Sequence, residues 1–199
     1  ILAVDGSPFD ALGSTGLPGY LSRVAMLPQR RLGVVVLTNQ ESGEAFDAIA
    51  YRILDYYQGA PEHNWLEAFT AVKARNDARI AERDAQTTAQ RRETSTPSLE
   101  LGDYAGTYRD AWYGDVVISL GGDGLVIDFT RTPSLLGDMV HWQYNTFLVQ
   151  WRQRELRADA FITFSFNPDG SIERARIVPA SPTVDFSFDF QDLDLRPRR

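Results

Sequence analysis

The chain has 199 residues and a mass of 22.3 kDa, with 43% hydrophobic and 24% charged residues and a mean hydropathy of −0.28, an ordinary composition for a soluble protein with one good core or two small ones. A net charge of −7 and a pI near 4.8 make it a poor polyanion binder and argue against nucleic acid as a partner. The absence of cysteine removes disulfides, thiol catalysis and Cys-ligated metals, and no apolar run approaches the roughly 20 residues that span a bilayer.

The opening Ile1-Leu2-Ala3-Val4 is too short for a secretory signal and lacks its basic start. The chain does not begin with Met, which fits a fragment or a processed product. Tyr20 to Leu27 and Leu32 to Thr38 read as strands joined through Gln29-Arg30-Arg31. The β-branched run Val34 to Leu37 predicts a strand covered on both faces. Ser42 can cap a following helix whose apolar stripe is Phe46, Ile49, Ile53, Leu54 and Tyr57, ended by Gly59 and Pro61. Asn64, with Glu67 three residues on, opens a second helix with the stripe Trp65, Phe69, Val72 and Ile80. From Ala81 to Glu93 the residues are almost all polar, as in a solvated helix or a frayed linker.

Thr94-Ser95-Thr96-Pro97-Ser98 marks a change of texture, and we place a domain boundary there, giving domains 1–94 and 95–199. Residues 1–98 carry 10 bases and 12 acids, and residues 99–199 carry 10 bases and 15 acids, so the second part is the more acidic. After the boundary the period is two. Short strands are predicted near Thr107-Tyr108-Arg109 and over 115–120, 125–130, 139–144, 147–152, 160–166 and 171–178. Turn signals separate them at Gly121-Gly122-Asp123-Gly124, Asn145-Thr146 and Asn167-Pro168-Asp169-Gly170. A closing strand is predicted where Val184, Phe186, Phe188 and Phe190 alternate with Asp185, Ser187, Asp189 and Gln191. About eight strands with hairpin-length links favour an antiparallel up-and-down barrel, because closure removes edges. The fold class is α+β: a β-hairpin with two helices, then the barrel.

Leu17-Pro18-Gly19-Tyr20-Leu21-Ser22-Arg23-Val24, followed by Leu32 to Glu41, resembles the C-terminal part of a β-lactamase-like serine hydrolase, of the class C β-lactamase and penicillin-binding-protein type. Ala48 to Tyr57 resembles that family's C-terminal helix. Leu101 to Tyr108, Trp112-Tyr113-Gly114 and Asp185 to Phe190 resemble a domain of unknown function appended to such hydrolases. The resemblance covers Gly16 to the end. It implies that the barrel is lipocalin-like, that the parent performs acyl-serine chemistry on an amide, ester or β-lactam, and that the compartment is the bacterial periplasm or outside.

The motifs this family uses for chemistry are missing. Its Ser-x-x-Lys nucleophile motif would have to end at Lys73, the only lysine, and position 70 is Thr70. There is no Tyr-x-Asn element. The family's pocket motif, a base followed by Ser or Thr and then Gly, is matched only by the degraded Ser14-Thr15-Gly16. We therefore expect no catalytic residue and no cofactor in this chain. We read it as the tail of a longer hydrolase in preference to a silent relic.

Neither His63 nor His141 has a second histidine nearby to build a triad or a metal site, and none is expected. The candidate ligand-binding residues are Trp112, Tyr113, His141, Trp142, Tyr144 and Trp151. They serve either an aromatic pocket for a small hydrophobic ligand or a barrel core with polar tips at its rim. By alternation Trp142 and Tyr144 share a face and His141 takes the other. Arg152, Arg154 and Arg157 form a basic cluster, read as a solvated connection or an anion or subunit contact. The acids sit in turns and on wet faces, and the Gly121–Gly124 run has no helix after it, so neither a glycosidase pair nor a phosphate loop is supported. Two roles follow for the whole chain: a non-catalytic hydrolase region with an accessory barrel that binds substrate or mediates assembly, or a stand-alone lipocalin-like module holding a small hydrophobic ligand. The expected partners are a second copy of the chain or the remainder of the hydrolase domain.

Overall fold

The computed structural model describes residues 11–17, 19–122 and 124–198, and its packing divides the chain into two compact units, residues 1–79 and 80–199. In the first unit, strands β1 (Ala11–Leu17), β2 (Tyr20–Leu27) and β3 (Leu32–Thr38) form an antiparallel sheet in that order. β2 and β3 occupy the predicted spans. A single 3-10 turn, Pro28–Arg30, joins them and ends on Arg31 in the left-handed region. Residues 1–10, part of a segment that resembled nothing, lie outside the described residues.

Helix α1 (Gly43–Gln58) starts where Ser42 Oγ accepts from the Ala45 N–H and stops at Gly59, whose φ of 68° suits a residue without a Cβ. Its buried stripe is Phe46, Ala50 and Leu54, against Ala25, Leu27, Val34 and Val36 of the sheet. This corrects the predicted stripe: Ile49 and Tyr57 are exposed, and the small Ala50 takes the place nearest the strands. Arg23 on β2 pairs with Asp47 on α1 and lies 4.9 Å over the Phe46 ring. The expectation that β3 is covered on both faces is also corrected. α1 covers one face only, and Val35 (63%) and Leu37 (75%) are exposed on the other, beside Tyr20 and Met26 of β2.

Helix α2 (Trp65–Ala89) is capped by Asn64, whose Oδ1 accepts from the Glu67 N–H at 3.2 Å. Its Trp65 Nε1 donates to the buried Asp55 carboxylate at 2.5 Å. The polar stretch beyond Ala81 stays helical to Ala89, and no α2 residue is fully buried.

The second unit is a meander of β4 (Gly106–Asp110), β5 (Gly114–Gly121), β6 (Gly124–Phe129), β7 (Leu136–Gln143), β8 (Thr146–Trp151), β9 (Ala160–Phe166) and β10 (Ile172–Pro179), with β11 (Arg196–Pro197) beside β4. All neighbours are antiparallel. Leu195 bridges to Ala175 of β10, so the eight strands nearly close into a barrel. The turn residue Asp123 lies outside the described residues.

The predicted closing strand at 184–191 is not a strand. It folds as two 3-10 turns, Phe186–Phe188 and Phe190–Asp192. Asp185 accepts from the Ser187 N–H two residues on, and Asp189 adopts the left-handed region; both are turn chemistry that overrides alternation. Phe190 is thereby driven into the core, and closure passes to Leu195–Pro197.

The interior is filled by side chains. Tyr104, Phe129, Phe147, Trp151 and Phe190 are fully buried and meet edge-to-face or stacked, with Phe164 beside them. Trp151 packs where Gly137 stands across from it, and a Cβ at 137 would lie 2.9 Å from the indole. The indole N–H donates to the Ala158 carbonyl at 2.7 Å. Asp110, buried at the end of β4, accepts from the N–H groups of Trp112 (2.7 Å), Tyr113 (3.0 Å) and, 84 residues away, Asp194 (3.0 Å). Burial alone would raise its carboxyl pKa. The N–H donors of Tyr113, Asp194, Trp112 and Ala111 outweigh burial and hold it below the usual range.

Replacing Gly137 by Ala overpacks the indole and should cost about 1–3 kcal/mol in urea unfolding; in a Trp151→Leu background the penalty should shrink. Asp110→Asn turns an acceptor into a donor aimed at an N–H and should cost about 1–3 kcal/mol at neutral pH. Because the folded pKa is depressed, this advantage of the wild type is present above the unfolded value of about 4 and disappears as pH falls through the folded one. Unfolding midpoints of the two proteins should therefore converge in acid.

Candidate functional site

The degraded motif Ser14-Thr15-Gly16 lies in β1, with backbone partners Arg23, Ser22 and Leu21. The side chains of Ser14 and Thr15 lie outside the described residues, and Gly16 is exposed. Lys73 sits on α2 and pairs with Asp77, one turn away. His63 packs edge-on against Trp65 (4.6 Å) in a groove of about 620 Å3, lined also by Ile49 and by Arg52 and Glu62, which pair at 2.7 Å. Among the described residues, no group of three or more His, Asp and Glu side chains is arranged to hold a metal.

The six aromatic and histidine candidates fall in three places. Trp151 belongs to the barrel interior, and Tyr113 sits at its margin, edge-on to Phe129 with its hydroxyl donating to the Phe188 carbonyl at 3.0 Å. Trp112 stands in the β4–β5 turn, 72% exposed. His141, Trp142 and Tyr144 cluster at the β7–β8 turn. There His141 lies against Phe147 (5.6 Å) and Trp142 faces outward against Phe161 (5.0 Å). Trp142 and Tyr144 do not share a strand face: the register shifts after His141, β7 ends at Gln143, and Tyr144 turns with φ 47°. Of the predicted basic cluster, Arg152 grips Asp138 and Arg154 grips Asp159, each through two nitrogens.

The β7–β8 turn is the most elaborated polar site of the second unit, because residues 91–98 are strapped onto it. Arg91 stands over Trp142, its guanidinium carbon 4.6 Å from the ring centre, and donates to the carbonyls of Trp142 (2.9 Å) and His141 (3.1 Å). The Arg92 N–H donates to Gln143, and the Tyr144 N–H to Ser95. Asn145 is the centre: its Oδ1 accepts from the Ser98 N–H (2.9 Å) and the Tyr104 hydroxyl (2.5 Å), and its Nδ2 donates to Ser98 Oγ (2.9 Å). His141 Nε2 faces the Tyr144 carbonyl at 2.9 Å, which places a proton on that nitrogen. Burial raises the Tyr104 phenol pKa, so it remains a donor. Such a site holds chain segments together and offers no activated nucleophile. Sequence reading missed Arg91, Ser95, Ser98 and Tyr104 here. Asn145 registered only as a turn residue, and its long-range partners leave no local pattern.

Comparison with known proteins gives two findings. Residues 90–197 match the model of a family described as Domain of unknown function (DUF3471), beginning one residue before Arg91. The chain is also 27% identical over 126 residues to the unguisins hydrolase ungD of Aspergillus violaceofuscus (strain CBS 115571). That alignment covers 60% of this chain but only 22% of the relative's length. No solved structure matches. Together the two matches support the β-lactamase-related context of the resemblance. Since the family match takes in more than half of the residues, including every strand of the barrel, the chain belongs to the family of the Domain of unknown function (DUF3471).

Proposed function

We propose that this chain is the non-catalytic C-terminal region of a β-lactamase-like serine hydrolase, with residues 1–94 completing the hydrolase domain and residues 95–199 forming a lipocalin-like accessory barrel that serves assembly. The carrying observation is the combination, in one chain, of the family's barrel with a three-stranded sheet that is packed on α1 on one face and bare on the other. Tyr20, Met26, Val35 and Leu37 are the surface that the remainder of the hydrolase domain would cover. The bonds of residues 91–98 to the β7–β8 turn make this stretch part of the barrel's own packing. The similarity to a hydrolase supports the same reading, although it spans a small part of that protein. A hollow barrel for a hydrophobic ligand is disfavoured, because aromatic rings occupy the interior where the ligand would lie.

The purified chain, incubated with a fluorophosphonate serine probe and with a chromogenic β-lactam, should show neither labelling nor turnover above buffer; a serine adduct refutes the proposal. Deprived of its covering domain, the bare sheet should pair with itself. Sedimentation should give a dimer or larger species that Val35→Lys/Leu37→Lys returns to monomer, and a monomer mass independent of concentration for the unmodified chain would count against the proposed covering role.

A further inference from the structure

On the outer surface of the barrel, β11, β4 and β5 lie side by side, and three guanidiniums gather around one carboxylate. Arg109 holds Asp115 through two parallel bonds, Nε to Oδ1 at 2.6 Å and Nη2 to Oδ2 at 3.0 Å. Arg198 donates to the same Oδ2 at 2.7 Å. Arg131 comes from the β6–β7 connection and lies against Gly114, so close that a Cβ there would be 3.0 Å from its Nε. Among the described residues Arg131 makes no hydrogen bond or ion pair, and its charge acts on Asp115 through space.

Several other arginines of the barrel are matched by acids in equal number. Arg152 has Asp138, Arg154 has Asp159, and Arg174 and Arg196 share Glu173 and Asp194. At Asp115 one carboxylate faces three cations. The next acid on this face, Asp128, stands opposite Val117, one step further along the sheet. Arg196 is also directly opposite Arg109 across β11 and β4, an unfavourable like-charge pairing. This excess is built into a chain of net charge −7. Two residues before Gly114, in the β4–β5 turn, Trp112 is open to solvent. Arg and Trp are among the side chains that most often anchor interfaces.

We propose that Arg131, Arg109, Arg198 and Trp112 form a docking surface for an acidic peptide segment of a partner protein. Its carboxylates would take the open guanidinium edges, as Asp115 already does on the inner side, and an apolar side chain of the segment would lie on Trp112. The patch is small and the rest of the chain is acidic. A short acidic segment fits it, whereas a long polyanion would run onto repelling surface.

The test uses the intact 199-residue chain and a fluorescein-labelled peptide alternating Glu with Leu, followed by anisotropy. Comparison probes are the same peptide with Gln for Glu, inorganic phosphate as competitor and a short DNA oligonucleotide. The Glu peptide should bind and the Gln peptide should not, with affinity falling as salt rises. Arg131→Glu should weaken binding about tenfold or more, and Trp112→Ala should weaken it several-fold. Both side chains are exposed, so thermal unfolding of the variants should match the parent; Arg131→Gln gives a second, milder reading of the same site. Equal binding of the two peptides, binding unchanged by either Arg131 substitution, or preference for the oligonucleotide or for phosphate alone would overturn the proposal.

Discussion

The second unit depends on closing its barrel across a gap that the strands themselves barely bridge. The meander leaves β4 and β10 as ends, and open sheet edges invite wrong pairing. What joins them is short. β11 has two residues, and Leu195 exchanges two backbone bonds with Ala175 (2.8 and 3.1 Å). Asp110 supplies the rest. Its buried carboxylate ties the β4–β5 turn to the Asp194 N–H, so one side chain secures the first hairpin of the barrel and its last strand together. A carboxylate is suited to this, because it accepts several N–H groups at once and buried donors cost free energy when unpaired. The 3-10 turns just before Asp194 cannot pair as a ladder, which explains why a side chain takes over the work of a strand.

Period and turn chemistry made most of the fold legible. β2, β3, α1 and seven barrel strands stand within a few residues of where alternation, caps and Gly or Asn turns put them, because those signals are local. The failures have two causes, competing turn chemistry and tertiary packing. At 184–191 a perfect alternation lost to Asp185 and Asp189, whose short polar chains favour turns, and the phenylalanine spacing served two turns instead of a strand. On α1 the hydrophobic count pointed to Ile49, while the close approach of helix to sheet favoured Ala50. On β3 the β-branched run suggested two covered faces, but only tertiary structure decides how many are covered.

The candidate site was less legible for the second of these reasons. Trp112, Tyr113, Trp142 and Trp151 are close in type but not in place: a rim, a margin, an outer face and a core. Composition reports that aromatics are abundant. It does not report that Gly137 clears room for Trp151, or that Arg91, 51 residues before Trp142 in a polar run, stands over its ring. The strap is invisible in sequence because each of its bonds joins residues some fifty positions apart through ordinary Ser, Asn and Arg side chains.

Of the 20 bases, 19 are arginine, and the structure gives this a physical meaning. A guanidinium presents a planar fork that fixes direction as well as charge, which an ammonium does not. Arg109 and Asp115 join β4 to β5, and Arg152, just after β8, holds Asp138 of β7, each through two guanidinium nitrogens. Exposed pairs of this kind contribute little to stability, so their main effect is orientation. Arg91 sets its guanidinium over an indole. An array of oriented forks is also a surface that recognises carboxylates by geometry. With aromatic rings packed in its interior, this barrel sets its guanidinium forks on the outer wall.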